Sequence, residues 1–325
     1  MNRGSVSRAA LVLALLWGLD GALAVAQAQT FDEALAQAYA SHPSLQAKRA
    51  KLRATDEQVP QAIANWRPSV TAKTDVGKVM VESNLSNPKE QKRTYRMGQV
   101  AITQPIFRGG KTLAATDKAE EAVLAERASL TVTEQTVLLD ASTAYLDNLR
   151  DQAVLDLNIS NEQVLRRQLE ATRNRFQVGE ITRTDVSQAE ARLAKAQADR
   201  VKAEGDLKIS RAVFKNLIGD APHGLKKPAM PAGLPANEED AVRLAMEANP
   251  NVISAEHTER SARHHIDLVR GDLLPSLSVT ADANRTLRST SYNSRSQTAE
   301  IIATLNIPIY EGGSATYSKI REAKQ

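Results

Sequence analysis

Apolar residues recur every seven positions along several long stretches of this chain. Between Phe31 and Ala64 the step is kept by Ala38, Leu45, Leu52 and Val59, so this stretch reads as a helix with one buried seam. Pro60 is expected to kink or end it. The same step recurs at Val123, Leu130, Val137 and Ala144. Lys111 to Val178 contains neither Pro nor Gly, so about 68 residues, or roughly 100 Å, read as a single helix. Gly179-Glu180-Ile181-Thr182 breaks the pattern, and a further helix runs to Leu217. Its heptad carries Val186, Leu193, Leu207 and Phe214 at one position and Ala189, Ala196, Ala203 and Leu217 at the other, with Arg200 and Ser210 as interruptions. Small Ala side chains let backbones approach, and the seven-residue period implies supercoiling. Gly179 is expected to end the long helix, and Thr182 or Thr184 to cap the next. Phe31–Ala64 and Thr182–Leu217 together nearly match the long helix in length, so two short helices are expected to pack alongside it.

Elsewhere the period falls to two. Leu277, Val279, Ala281 and Ala283 alternate with polar residues, as do Ala299, Ile301, Ala303, Leu305 and Ile307, with Ile302 the exception. Such strands are half-buried, and at about 9–11 residues they have the length of a tilted membrane strand, although a soluble antiparallel sheet shows the same alternation. Two earlier segments, from Pro68 to about Val81 and from about Tyr95 to Phe107, read as extended, with a polar loop from Glu82 to Arg93 between them. The second strand of each pair ends in Pro-Ile-aromatic-x-Gly-Gly, at residues 105–110 and 308–313. Pro is tolerated at a strand end, and the pairs Gly109, Gly110 and Gly312, Gly313 permit a sharp turn into the next helix. Gly110-Lys111-Thr112 is no phosphate-binding loop, because position 105, where that motif needs Gly, is Pro.

The strand pairs belong to an internal repeat. Asp32-Glu33-Ala34-Leu35, His42-Pro43 and Pro68-Ser69-Val70 match Glu239-Asp240-Ala241-Val242, Asn249-Pro250 and Pro275-Ser276-Leu277 at one offset of 207, and the glycine turns match at 203. The organisation expected is a first repeat over 29–220, a Pro- and Gly-rich linker over 221–237 and a second repeat over 238–325 that holds a helix, two strands and the start of a helix. The period predicts a full length of roughly 440 residues or more. On that standard the chain is expected to be a fragment or the product of an interrupted reading frame.

Composition adds an address. Arg3 and Arg8 precede an apolar run, Ala9 to Leu19, followed by the small-x-small signals Ala24-Val25-Ala26 and Ala26-Gln27-Ala28. Residues 1–28 are expected to be a secretory signal peptide, which places the mature chain outside the cytoplasm. The absence of Cys excludes disulfides, thiolate metal sites and Cys nucleophiles. A net charge of +4, from 42 basic and 38 acidic residues, does not point to nucleic acid. Aromatics at 4% suit long helices packed through small residues. Adjacent His264 and His265 project apart on a helix and so make no metal site. Lys48-Arg49, with Lys51 and Arg53, reads as a solvated helix face. Trp66, just before Arg67-Pro68, suits either an interface anchor or ordinary packing.

The order of these features resembles the TolC family of outer-membrane efflux and secretion channels over essentially the whole mature chain. The strongest pieces are the two Pro-Ile-aromatic-x-Gly-Gly strand ends, the segment from Ala141-Ser142-Thr143-Ala144-Tyr145 to Arg175-Phe176-Gln177-Val178-Gly179, and Thr184-Asp185-Val186 with Gln188-Ala189-Glu190-Ala191-Arg192. The resemblance implies a mainly α fold with transmembrane β: long coiled-coil hairpins forming a periplasmic α-barrel, and strand pairs shared in a trimeric outer-membrane β-barrel. It implies a passive exit duct of a tripartite efflux pump or type I secretion system, with no catalysis, cofactor or metal. Its partners would be outer-membrane lipid, two further copies, a periplasmic adaptor and an inner-membrane pump or ABC transporter. Gly179, Thr184 and Asp185 fall at the family's periplasmic tip, where the adaptor is met, and the linker would join the collar around the tunnel. A periplasmic adaptor-like protein is the alternative, and an extracytoplasmic enzyme a more distant one. Independently of the family, four strands cannot close a membrane barrel alone, so oligomerisation is required if they span.

Overall fold

The computed structural model describes residues 29–82, 90–230, 233–291, 293–310 and 315–325. The expected signal peptide and the second glycine turn, Gly312 and Gly313, lie outside them. The chain divides into two compact units, residues 29–43 with 135–233 and residues 44–134 with 234–325. The first unit holds α1 (Phe31–Ser41); the second holds α2 (Pro43–Asp56, from Ser44 onward) and α3 (Gln58–Ile63). The strands β1 (Ser69–Glu82) and β2 (Glu90–Arg108) follow. Next comes α4 (Lys111–Gln177), uninterrupted over 67 residues as its sequence predicts, with residues 111–134 in one unit and 135–177 in the other.

In the first unit, α5 (Arg183–Ile218) forms a hairpin with α4. Its heptad is the buried seam: Ala196, Ala203, Leu207 and Phe214 are buried, and Val186, Leu193 and Leu217 are half-buried. Both polar interruptions find partners across the hairpin. Arg200 Nε lies 2.7 Å from the buried Glu162 carboxylate, and Asn148 Nδ2 reaches Ser210 Oγ at 3.5 Å. The core gathers Ala34 and Ala38 of α1, Ala141 and Tyr145 of α4, and Phe214 and Ile218 of α5. Phe31 meets Tyr145 edge-on at 5.3 Å between ring centroids. The Tyr145 hydroxyl is 2.7 Å from the Lys226 carbonyl and accepts the Lys226 N–H at 3.0 Å, which pins the Pro-rich linker to the helices. Burial raises the Tyr145 phenol above its ordinary pKa, so the hydroxyl stays a donor.

In the second unit the remaining helices are α6 (Glu238–Ala248), α7 (Pro250–Arg270) and α8 (Ala315–Ala323). The helix expected over 31–64 is broken twice. His42 and Asn249, each preceding a proline, take extended ψ values of 124° and 114°, so both repeat copies break at the same place. The second break has a related cause. α2 stops at Asp56, four residues before Pro60, whose missing N–H cannot bond that carbonyl and whose ring crowds it. The seam still holds, with Leu45 fully buried.

α2 lies along α4, and the cationic patch is not a solvated face. Lys48 and Lys51 converge on the Glu126 carboxylate at 2.8 and 3.4 Å, and Arg49 lies 3.9 Å from Glu134. The two lysines hold Glu126 below its usual carboxylate range despite its burial. α7 lines α4 as well: His257 meets Glu121 at 2.7 Å, and Ser254 and Ser261 donate to the carbonyls of Ala125 and Lys118.

The strands form one antiparallel sheet in the order β1-β2-β3-β4, with β3 (Ser276–Leu287) and β4 (Arg295–Asn306). β2 begins at Glu90, ahead of the expected Tyr95. Lys92, Arg93 and Thr94 pair in register with Met80, Val79 and Lys78, so a stretch read as loop from its polarity continues the ladder. Pro105, which has no N–H to donate, coincides with a register shift against β3.

Candidate functional site

Register assigns the faces of the sheet. One face carries, in cross-strand rows, Val70, Ile102, Ala281 and Ile301, then Ala72, Val100, Ala283 and Ala299. The other carries Thr71, Ala101, Asp282 and Glu300, then Lys73, Gln99, Asn284 and Thr298. Ile302, the exception to the alternation, stands on this polar face opposite Thr280. Gln99 donates to Asp282 at 2.6 Å, so the polar face is internally hydrogen-bonded. The apolar face is open: Val70, Val76 and Ile301 are 66–78% exposed. No described helix is long and apolar enough to cross a membrane, a statement that does not bear on strands.

The turn from β2 into α4 is built on glycine. Gly109 and Gly110 have φ of +61° and +75°, a region where side chains are strained. The expected turn is therefore present in the first copy. A residue outside the expected set, Gly271, completes it, because a Cβ there would meet Gly109 O at 2.8 Å and Lys111 Cγ at 2.2 Å. Lys111 Nζ binds Asp272 at 2.9 Å beside this contact.

At the hairpin tip, α4 closes with two reversed hydrogen bonds, Gly179 N–H to Phe176 O and Glu180 N–H to Arg175 O, both at 3.0 Å. Gly179, at φ +78°, supplies the left-handed residue this closure needs. Arg175 grips Glu180 with two bonds of 3.0 Å, and this pairing lowers the Glu180 carboxyl pKa. α5 then opens at Thr182, not Thr184. Thr182 Oγ1 accepts from Asp185 N–H, and Asp185 Oδ2 accepts from both Thr182 N–H at 2.9 Å and Thr182 Oγ1 at 2.7 Å. These donors, with Arg175 nearby, hold Asp185 below the usual carboxylate range. Gly179, Thr184 and Asp185 are all exposed. Val178 beside them, part of the tip motif but not among the three expected contact residues, is a 78% exposed apolar side chain. Behind the tip, a groove between the two helices is lined by Leu165, Gln168, Arg175, Ile181, Asp185 and Arg192.

His264 and His265, expected to project apart, both face α4: His264 lies 3.8 Å from Asp117 and His265 lies 3.2 Å from Lys118. Among the described residues, no cluster of three or more potential metal ligands forms. Trp66 is 38% exposed, and its carbonyl accepts from Gln104.

Residues 34–220 and 241–325 match the family described as outer membrane efflux protein. The outer membrane efflux protein BepC of Brucella suis is 31% identical over 312 residues, covering 94% of this chain and 67% of that one. The alkaline protease secretion protein AprF of Pseudomonas aeruginosa is 27% identical over 201 residues, 58% of this chain and 41% of its own. The chain thus spans two thirds of the first relative's length and under half of the second's. The Campylobacter jejuni CmeC outer membrane channel has the same fold, with a TM-score of 0.76 at 14% identity over 90% of this chain and 64% of that structure.

Proposed function

The chain belongs to the outer membrane efflux protein family, and on that premise we propose that it is a passive exit duct across the outer membrane and periplasm, serving an efflux pump or a type I secretion system. The observation that carries this reading is the sheet. One face is apolar across all four strands and the other polar, which suits lipid outside and water inside. Among the described residues the outer edges of β1 and β4 have no pairing strand, and open edges are not tolerated in hydrocarbon. Edge-to-edge pairing of copies removes them, and the family resemblance makes the closed ring a homotrimer.

In this reading the two repeats, 29–220 and 238–325, each contribute a strand pair to the barrel, and 221–237 links them. The helical hairpin lies in the periplasm and its tip meets an adaptor. Gly179, Thr184 and Asp185 frame that contact, with exposed Val178 and the groove behind the tip as the surface offered. Family and fold are those of channel proteins, not enzymes. The energy for export comes from an inner-membrane partner.

Planar bilayers test the duct. Purified protein is expected to give discrete conductance steps and the mass of a trimer, and a monomer that inserts without conductance sinks the reading. The tip is tested by comparing Asp185→Lys with Asp185→Asn, which keeps a cap acceptor. Asp185→Lys should weaken adaptor coupling or make the tip leaky more than Asp185→Asn does. Export and single-channel conductance unchanged in both would remove Asp185 from the contact.

A further inference from the structure

The apolar face changes character along its strands. Beyond the row Ala72, Val100, Ala283 and Ala299, the next reads Thr74, Gly98, Arg285 and Gln297, and the one after it Val76, Arg96, Leu287 and Arg295. Lys78 follows, opposite Thr94. Four cations, Lys78, Arg96, Arg285 and Arg295, therefore gather at the end of the apolar band that lies away from the helices, on its own face, and a fifth, Lys92, stands beyond them opposite Met80. All four are exposed, and none has an ion-pair partner among the described residues. The face carries no carboxylate until Glu82, beyond Met80.

Gly98 lies among them. A Cβ there would meet nothing within 4 Å, and the hollow it leaves is bordered by Val100, Ala283, Ala299 and Arg285. The hollow is apolar on the band side and cationic on the other. Arg96 and Arg285 are diagonal neighbours across the β2–β3 pair, a separation of about 7 Å that long side chains close easily.

We propose that Lys78, Arg96, Arg285 and Arg295, grouped around the hollow at Gly98, bind the phosphate groups of outer-leaflet lipid. This rests on the reading that the apolar face meets lipid. Cations bordering a lipid-facing band lie at headgroup depth, where long basic side chains extend toward the interface and lipid phosphate is the available anion. Guanidinium forks match phosphate oxygens two at a time, and two arginines over one hollow hold a phosphorylated headgroup more firmly than scattered lysines do. The hollow takes the apolar start of the lipid, which has no side chain at Gly98 to displace.

The test uses the full chain in phosphatidylcholine vesicles doped with bisphosphorylated lipid A, or with the same lipid stripped of its phosphates. Co-purified lipid is read by native mass spectrometry, and insertion is read by flotation of the same samples. Wild type should retain the phosphorylated lipid selectively. Combined Arg96→Gln and Arg285→Gln should weaken retention about thirtyfold. Lys73→Gln, which removes a cation from the opposite face, should leave it unchanged, and excess inorganic phosphate should not displace the lipid. Inserted protein that ignores the phosphates, a double variant that retains lipid as wild type does, or displacement by inorganic phosphate would overturn the lipid site alone. A chain that fails to insert would instead overturn the membrane reading on which the site rests.

Discussion

Gly109 and Gly271 touch through their backbones: a Cβ on Gly109 would lie 2.5 Å from the Gly271 carbonyl oxygen and 2.8 Å from Leu274 Cβ. The contact joins the end of β2 to the short 3-10 turn that follows α7, where the second helical stretch enters its own strand. It therefore sets how the helices of this unit lead into the sheet.

Alanine at Gly109 faces both a positive φ and a clash with backbone, and should cost at least about 2 kcal/mol. Gly110→Ala has the strain without the clash, since nothing lies within 4 Å of its would-be Cβ, and should cost about 1 kcal/mol. Thermal unfolding followed by circular dichroism should rank the two in that order. Equal stability of Gly109→Ala and wild type would mean that the close approach is relieved by a small backbone shift.

Tyr145→Phe keeps the ring packing against Phe31 and Phe214 but leaves the Lys226 N–H without its acceptor and the Lys226 carbonyl without its donor. A loss of about 1–3 kcal/mol is expected. Because the linker is pinned there, residues 221–230 should become more susceptible to proteolysis. Unchanged cleavage would show that the linker is held by other contacts.

Glu162 is buried and faces Arg200 across the hairpin. Arg200→Ala leaves that carboxylate with Arg166 as its remaining guanidinium partner and should cost about 1–2 kcal/mol, whereas Arg200→Leu with Glu162→Leu continues the apolar seam and should recover most of it. Chemical denaturation of the single and double variants gives the coupling directly, and purely additive effects would mean that the pair is not coupled.

Acid should loosen the tip. Asp185 and Glu180 both sit below their ordinary carboxylate values in the folded chain, through Thr182 and Arg175 respectively. A depressed folded pKa stabilises above the unfolded value, near 4, and the contribution is lost as pH falls through the folded one. Hydrogen-exchange protection at the start of α5, corrected for intrinsic rates, should exceed that of Asp185→Ala at neutral pH and converge with it in acid, once Asp185 is protonated in the folded chain as well. A difference that persists in acid would mean that the neutral Asp185 carboxyl still accepts from Thr182 and that ionisation is not what holds the cap.

The legible parts of this protein are periodic ones. Seven-residue spacing located α4 and α5 within one or two residues of their ends, because burial of one stripe is repeated over many turns and tolerates interruptions such as Arg200 and Ser210. Period two marked β3 and β4. The tip turn followed from Gly179, although Thr182 rather than Thr184 proved to be the cap, since only its hydroxyl reaches the N–H three residues on. Harder to read were features that depend on a neighbour distant in sequence. Lys48 and Arg49 looked solvated until α4 brought Glu126 and Glu134 alongside them. Gly271 was not among the expected turn glycines, because its contact exists only once Gly109 is folded against it. Lys92 and Arg93 looked like loop until β1 paired with them.

Sequence alone therefore determined the types and order of the main elements, the extent of the long helices and the family they resemble, because these follow from local spacing along one chain. Tertiary structure alone decided register, and register fixes which side chains share a face. It set Arg96, Arg285 and Arg295 on the same face as Val70 and Ile301, and it sent Asp282 and Glu300 to the other. A strand's own alternation defines two faces, but only its partners determine what each face joins.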